Sequence, residues 1–448
     1  MAASRCNTPK ARPTEGHTEQ GKEAEARVAH SYNNRFVSVK GMGNNSELQP
    51  RKPALSASKG GGMGKPGTEV PGPRTQKATS PVGTVLSYPH ASSDSMVTTE
   101  PITAPPQISV IVPARNEGAC LADCLYSLTT QSGVSFEIIV VDDHSTDRTR
   151  EIATSFPAVK VIEAGPLPAG WTGKNNAVTA GAHAARGTWL LFTDADTVHL
   201  PGSLAAALKE AQDHGAELLS YSPEQIAVTF WEMATLPVVF AELARQYSPS
   251  KVSDPASPIA AANGQYILIR RDTYDAVGGH AAIAASILED VALARAVKSA
   301  GRKIRFRYAA NAVRTRMYRN YRQLRDGWTK NLALLFPNPG WLAAKSLLLW
   351  AFPWAAVSIA VVAMHSWWNT FVAFAFLWPM ARLRRANFDL ATEFLGALFG
   401  MPMFAYLLLR SKRAHANGSV SWKGRTYDPT EPMTELPHHA PTTAGRLS

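Results

Sequence analysis

Cysteine is scarce: Cys6, Cys120 and Cys124 are the only three in 448 residues. That excludes a disulfide-stapled secreted domain, and the spacing suggests no metal cluster. Cys120 and Cys124 fall in a stretch that reads as helix, where they share a face with apolar neighbours and are expected to pack in a core. Charged residues are few at 18%, against 45% apolar, below the roughly one quarter usual in soluble domains. No apolar stretch follows the first residues, so a secretory leader is not expected. The net charge of +11 comes with neither zinc-knuckle spacing nor an aromatic-interleaved RNA motif, so nucleic acid is not an expected partner.

What is present is unevenly spread. Residues 1–104 hold 13 Lys/Arg and 8 Asp/Glu, are rich in Ser, Thr, Pro and Gly, and read as a disordered tail. Residues 105–335 are nearly balanced, with 23 and 22, and read as a folded domain. Residues 336–448 hold 10 and 5 and carry most of the long apolar runs, expected as two or three membrane helices over 336–413 and a tail over 414–448. The positive excess therefore lies in the tail and beside the apolar runs, which suits a membrane surface.

Apolar runs predict strands at 108–112, 136–141, 159–163, 189–193 and 216–221, alternating with helices at 118–130, 147–155, 174–185 and 201–213. Such alternation predicts an α/β fold: a mainly parallel, Rossmann-like sheet with helices on both faces, binding ligands beyond the carboxyl ends of its strands. Residues 226–247 are apolar on more than one face, so they are expected against the bilayer or the membrane helices. Asn263–Arg270 reads as strand and Ile287–Ala300 as helix. Residues 302–330 hold ten Lys/Arg and one acid, Asp326, interleaved with Tyr318, Tyr321 and Trp328; they are expected as helices lying at an anionic lipid interface.

Residues 346–364 are uncharged and close to spanning length. The run 366–381 is shorter, and 390–409 contains Gly400 and Pro402. Arg382, Arg384 and Arg385 follow the second run, and Arg410, Lys412 and Arg413 the third. Placing both clusters on the cytoplasmic side predicts a multi-pass protein of the cell membrane with an even number of crossings. The folded domain is then cytoplasmic, and 390–409 re-entrant or interfacial.

Two acidic pairs end adjacent predicted strands: Asp142-Asp143, and Asp194-Ala195-Asp196. Carboxylates placed as Asp194 and Asp196 can share one Mg²⁺ or Mn²⁺, ions that also take phosphate oxygens from a nucleotide diphosphate. Asp142 and Asp143 are placed to hydrogen-bond a base and ribose, while Asp147 reads as a helix cap. Glu289-Asp290 opens a helix, where acids favour the dipole; in a dry cleft such a carboxylate also takes a proton from an attacking hydroxyl. Gly278-Gly279 suggests a close turn admitting the acceptor. His144, His183, His199 and His280 lie near these motifs, but nothing in their spacing makes one a metal ligand.

Together these motifs resemble the glycosyltransferase family 2 enzymes of GT-A fold. Val110-Ile111-Val112-Pro113-Ala114-Arg115-Asn116-Glu117 is similar to the family's first strand and nucleotide loop. Val140-Val141-Asp142-Asp143-His144-Ser145-Thr146-Asp147 resembles its second-strand motif, and Phe192-Thr193-Asp194-Ala195-Asp196 its metal motif. Gly278-Gly279 with Leu288-Glu289-Asp290-Val291-Ala292-Leu293 resembles its acceptor-side motif. The resemblance covers residues 105–330. It implies a nucleotide-sugar donor contacting Pro113, Arg115, Glu117, Asp142, Asp143, Lys174 and Asp194. It also implies Mg²⁺ or Mn²⁺ at Asp194 and Asp196, a catalytic base at Asp290 beside Glu289, and inversion at the anomeric carbon.

A narrower resemblance, to the membrane glycosyltransferases associated with hopanoid and carotenoid biosynthesis, rests on Ala169-Gly170-Trp171-Thr172-Gly173-Lys174-Asn175, Asn263-Gly264, Met317-Tyr318 and Gly327-Trp328-Thr329-Lys330-Asn331. Trp422-Lys423-Gly424-Arg425 with Tyr427 completes it. It implies a lipid acceptor, with Gly279, Trp328, Lys423 and Arg425 on the acceptor side. The Gln-x-x-Arg-Trp of processive synthases is replaced by Gln323-Leu324-Arg325-Asp326-Gly327-Trp328, which favours transfer of one sugar over polymer synthesis. Polyprenyl-phosphate sugar transfer and processive synthesis remain alternatives. A nucleotidylyltransferase needs a Gly-rich basic loop that Pro113–Gly118 lacks, and a non-catalytic scaffold would not need Asp194, Asp196 and Asp290 intact.

Overall fold

The computed structural model describes residues 104–363, 368–386, 388–422 and 425–427. The tail expected over 1–104 falls outside them except for its last residue, as do Lys423 and residues 428–448.

The first half alternates as expected. It runs β1 (Ile108–Ala114), α1 (Leu121–Thr129), β2 (Phe136–Asp142), α2 (Thr149–Thr154), β3 (Val159–Glu163), α3 (Gly173–Ala184) and β4 (Trp189–Phe192). Then come β5 (Thr197–His199), α4 (Ser203–Asp213), β6 (Leu218–Ser222), β7 (Glu224–Gln225), α5 (Phe230–Gln246), α6 (Pro249–Ser253), β8 (Ile267–Arg270), α7 (Arg271–Ala276), α8 (Glu289–Ser299), β9 (Ile304–Tyr308) and β10 (Val313–Thr315).

Seven strands form one sheet in the order β3-β2-β1-β4-β8-β6-β9. Its strand pairs are parallel except where β8 runs antiparallel to β4 and β6. The central strands read as unbroken apolar runs because both faces are covered. Val110, Ile138 and Leu191 point into one core; Ile111, Ile139 and Leu190 point into the other. The strand order reverses between β1 and β4, and a crevice opens there beyond the carboxyl ends.

The basic stretch 302–330 departs from expectation. Its first half is not interfacial helix but β9 and β10. Ile304 and Phe306 are buried while Arg305 and Arg307 point to Glu210 on α4, at 3.2 and 2.8 Å. The sequence IRFRY alternates with the period of a strand, and the run of cations concealed it.

Helix α9 (Tyr321–Leu335) leads to α10 (Pro339–Ala363), α11 (Trp368–Leu383), α12 (Leu390–Leu395) and α13 (Met401–Ala416), with a short hairpin of β11 (Val420–Trp422) and β12 (Arg425–Tyr427). Pro339–Ile359 and Leu390–Ala416 are long and apolar enough to cross a membrane; Trp341, Leu348 and Leu390 are exposed there, and Leu377 and Trp378 on α11. Helix α5 packs among these helices: Leu236 and Val239 share a core with Leu332, Phe404 and Leu408.

The segment 390–409 does not turn back as a re-entrant loop would. It stays helical from Leu390 to Ala416, widened to a π turn at Gly396–Gly400. Pro402 has no N–H to give the Leu398 carbonyl four residues before it, and Trp350 Nε1 donates there at 2.8 Å instead. Gly400 seats this helix on α5: a Cβ at that position would lie 2.0 Å from the Ala234 carbonyl oxygen.

Candidate active site

The loops after β1 and β2 interlock at the sheet's carboxyl edge. Asn116, at φ 54°, accepts from the Thr146 amide at 2.8 Å, and its own amide donates to Ser145 Oγ at 3.1 Å. Asp147 accepts from the Gly118 amide at 2.9 Å and the Thr149 amide at 3.0 Å, so it ties the start of α2 to the β1 loop. Arg115 donates to the Asp143 carbonyl at 2.6 Å. The nucleotide-loop residues thus reach their places through each other.

Opposite them, Thr172 caps α3 by accepting from the Asn175 amide. Asn175 donates to the carbonyls of Ile283, Ala284 and Ser286, which fixes the loop entering α8. Lys174, on the first turn of α3, then bridges two acids: its Nζ lies 2.8 Å from Asp194 Oδ1 and 2.6 Å from Glu289 Oε1. Asp290 holds both carboxylate oxygens on amides, Gly264 at 3.0 Å and Val291 at 2.8 Å. Any side chain at Gly264 would crowd the Lys174–Glu289 pair, at 3.2 and 3.3 Å.

The two neighbouring acids are pushed apart in basicity. Burial and the adjacent Glu289 raise the Asp290 carboxyl to about 6. Burial also pushes Glu289 up, but Lys174 and Lys330 outweigh it and hold Glu289 below the usual carboxylate range. Lys174 is driven well above its ordinary value: burial opposes the charge, and Asp194 and Glu289 more than offset it. His280 is buried and its imidazole is pushed down to about 4, chiefly by that burial. His199 is likewise pushed down to about 3.

Asn116, Lys174, Gly264, Glu289 and Asp290 line one cleft of about 790 Å³. Its lining includes the polar and charged residues Asp143, Lys174, Asp194, Asp196 and Asp290, together with Pro113, and the apolar residues Phe240, Leu243, Trp328 and Leu335. Phe240, Leu243 and Leu335 also pack on the core shared with α13, so one cleft joins ionic residues to residues seated on the apolar helices. Arg115, Glu117, Glu289 and Lys330 line it as well.

Two expected residues stand elsewhere. Asp142 does not line the cleft: it is buried, accepts from the Ser145 amide at 3.1 Å and faces Arg150 at 3.8 Å. Side chains alternate along a strand end, so only Asp143 of this pair reaches the opening. Gly279 also stays out of the lining; it has φ +56° and a Cβ there would meet the Tyr274 ring at 2.6 Å, so its demand is conformational. Arg425 has its backbone in β12, and the side chains of that hairpin lie outside the described residues.

Several lining residues were not anticipated. Gly264 and Gln265 enter from the Asn-Gly turn before β8, and Tyr247 from the end of α5. The Asn-Gly pair was the available signal for the first two; Tyr247 carried none.

The residues fit a small divalent cation in one respect. No cluster of three His, Cys, Asp or Glu that could hold a metal occurs among the described residues. Two carboxylates, Asp194 and Asp196, open on the cleft. That donor set suits Mg²⁺ or Mn²⁺ completed by phosphate oxygens and water, and not a closed all-protein site.

Residues 109–278 match the family model described as Glycosyl transferase family 2. This segment is a glycosyl transferase family 2 domain, and its α/β sheet is of the GT-A type. The 4,4'-diaponeurosporenoate glycosyltransferase of Staphylococcus aureus (strain MRSA252) is 26% identical over 337 residues, covering 71% of this chain and 88% of that protein. The protein of that name from strain USA300 aligns over the same length at 26%. Among solved structures, S. aureus TarS 1–349 in complex with UDP-GlcNAc is 18% identical, covers 51% of this chain and 65% of that one, and has a TM-score of 0.35. The mannosyltransferase PcManGT from Pyrobaculum calidifontis in complex with GDP-Man and Mn²⁺ is 18% identical, covers 64% and 87%, and has a TM-score of 0.37.

Proposed function

We propose that this glycosyltransferase moves one sugar from a nucleotide-sugar donor to a lipid acceptor at the cell membrane, with inversion, its catalytic domain cytoplasmic and its apolar helices crossing the bilayer. The observation that carries the reading is a cleft lined both by ionic residues and by residues that pack on the core of the apolar helices. The S. aureus relative, named for the carboxylate 4,4'-diaponeurosporenoate, supports an apolar, carotenoid-related acceptor, and a base at Asp290 requires that this chain's acceptor present a hydroxyl instead.

The donor's diphosphate lies near the Lys174 ammonium, which opposes the charge that grows on the leaving group. Asp143 and Arg115 border the nucleotide. Asp194 and Asp196 would hold a divalent cation, which would supply further charge neutralisation to the diphosphate. Asp290, the more basic acid of its pair, takes the proton from the acceptor hydroxyl as that oxygen attacks the anomeric carbon. Glu289 stays ionised and holds Lys174 in place.

The test is nucleotide release by the detergent-purified protein with Mn²⁺ or Mg²⁺, across a panel of UDP- and GDP-sugars, with and without bacterial membrane lipid extract. One donor is expected to give release that rises several-fold with lipid and vanishes with EDTA. Release indifferent to lipid would remove the acceptor class, and release indifferent to EDTA the metal.

A further inference from the structure

Charge is costly among apolar helices unless it is paired, yet four charged side chains meet where α5, α10 and α11 come together. Glu242, 8% exposed on α5, accepts from Arg245 Nε at 2.8 Å and from a terminal nitrogen of Arg382, on α11, at 2.6 Å. Lys345, on α10, is close enough to feel the charges of Arg382, Arg245 and Glu242. Its own ammonium makes no hydrogen bond or close ion pair among the described residues. Within this cluster three cations share one carboxylate, and that carboxylate is already bonded to two of them. Like charges held together repel, so the cluster favours a further anion.

The flanking residues select the kind of anion. On α10, Trp341, Lys345, Leu348 and Phe352 recur at steps of four, three and four, so they share one face. Trp341, Leu348 and Phe352 are exposed there, while Leu342, Ala343 and Leu349 turn to the core. On α11, Trp378 stands one turn before Arg382 and is exposed as well. Each helix thus sets a cation one turn from an exposed tryptophan, near the start of α10 and the end of α11. Tryptophan rings gather at the headgroup level of a bilayer, and Lys and Arg near helix ends reach to it. A soluble anion has no use for apolar surface beside the cations, whereas a phospholipid joins a phosphate to acyl chains. A zwitterionic headgroup brings its own cation, so the positive excess selects an anionic one.

None of these four charged residues lines the cleft. Their helix α5 does so with another face, through Phe240, Leu243 and Ala244. We infer that Lys345, Arg382 and Arg245 bind the headgroup phosphate of an anionic phospholipid, at a site separate from the acceptor's, and that this lipid fastens α5 to the membrane surface. The inference rests on the reading that the apolar helices lie in a membrane, and it is independent of what the acceptor is.

The test measures lipid retention by the detergent-purified full chain in native mass spectrometry, with phosphatidylglycerol and phosphatidylcholine of the same acyl chains. Wild type is expected to hold phosphatidylglycerol several-fold more tightly than phosphatidylcholine. Lys345→Gln breaks no bond among the described residues. It is expected to weaken phosphatidylglycerol about fivefold, the worth of one cation near an anionic surface, with phosphatidylcholine unchanged. Arg245→Gln is expected to weaken it by a similar factor, and Lys345→Arg to restore it. Lys209→Gln, on α4, is expected to change nothing. Inorganic phosphate is expected to displace no more lipid than chloride at the same ionic strength. The proposal is overturned by a wild type without preference between the two lipids. An unchanged Lys345→Gln overturns it too, as does a Lys209→Gln that loses as much, which would show a general surface charge. Displacement by inorganic phosphate beyond that by chloride would assign the cluster to a free anion. Wild-type protein that stays in solution without detergent would instead remove the membrane reading beneath the proposal.

Discussion

Asp290→Asn is expected to lower sugar transfer by about 10²–10⁴-fold, the usual worth of a general base, while nucleoside diphosphate binding stays near wild type. The asparagine keeps the side-chain volume and an acceptor oxygen for one of the two amides, Gly264 and Val291, that hold the carboxylate, and the other amide loses its acceptor. What it loses is the ability to take a proton. The pH profile carries the same assignment. Asp290 titrates near 6 because burial and Glu289 disfavour its charged form. Its basic form therefore dominates above pH 6, and the rate should fall about tenfold per pH unit below that. Residual transfer in the variant should lack this limb. Loss of nucleotide binding together with transfer would show that Asp290 serves the fold.

Lys174→Met is expected to cost about 10²–10³-fold in kcat, as when one donor to a developing oxyanion is removed. Its second effect distinguishes it from a simple loss of donor affinity. Lys174 stands between Asp194 and Glu289, and its charge also pulls the Asp290 carboxyl down. Without it, the cleft holds the same acids with one cation fewer, so Asp290 becomes harder to ionise. The acid limb of the rate should move to higher pH. A pH–rate profile of this variant checks both effects; a limb unmoved, or moved to lower pH, would mean Lys174 does not govern the acids.

Much of this site could be read from the residues alone, for a physical reason. Strands buried on both faces are continuous apolar runs, so β1, β2 and β4 stood out, and the acids following them fell at the edge where an α/β sheet binds ligands. The pairing of Lys174 with Glu289 could not be read, since it depends on Asn175 holding the loop before α8 against α3. Asp142 and Asp143 are chemically alike, and only the side to which each points separates them. Gly279 resembled an acceptor contact, but its neighbour is Tyr274. β9 was hidden because Arg305 and Arg307 made it look like a lipid-facing surface, when both pair with Glu210. The bond of Arg382 to Glu242 crosses 140 residues of chain and follows from no local pattern.

The most direct test of lipid glycosylation is the product itself. Membrane lipid extract is incubated with purified protein, metal and the active nucleotide sugar, and the lipid fraction is analysed by mass spectrometry and by NMR of the anomeric proton. The account predicts a lipid heavier by one sugar residue, its anomeric configuration opposite to the donor's, absent with Asp290→Asn. Free sugar as the only product, a polymer, or retained configuration would contradict it.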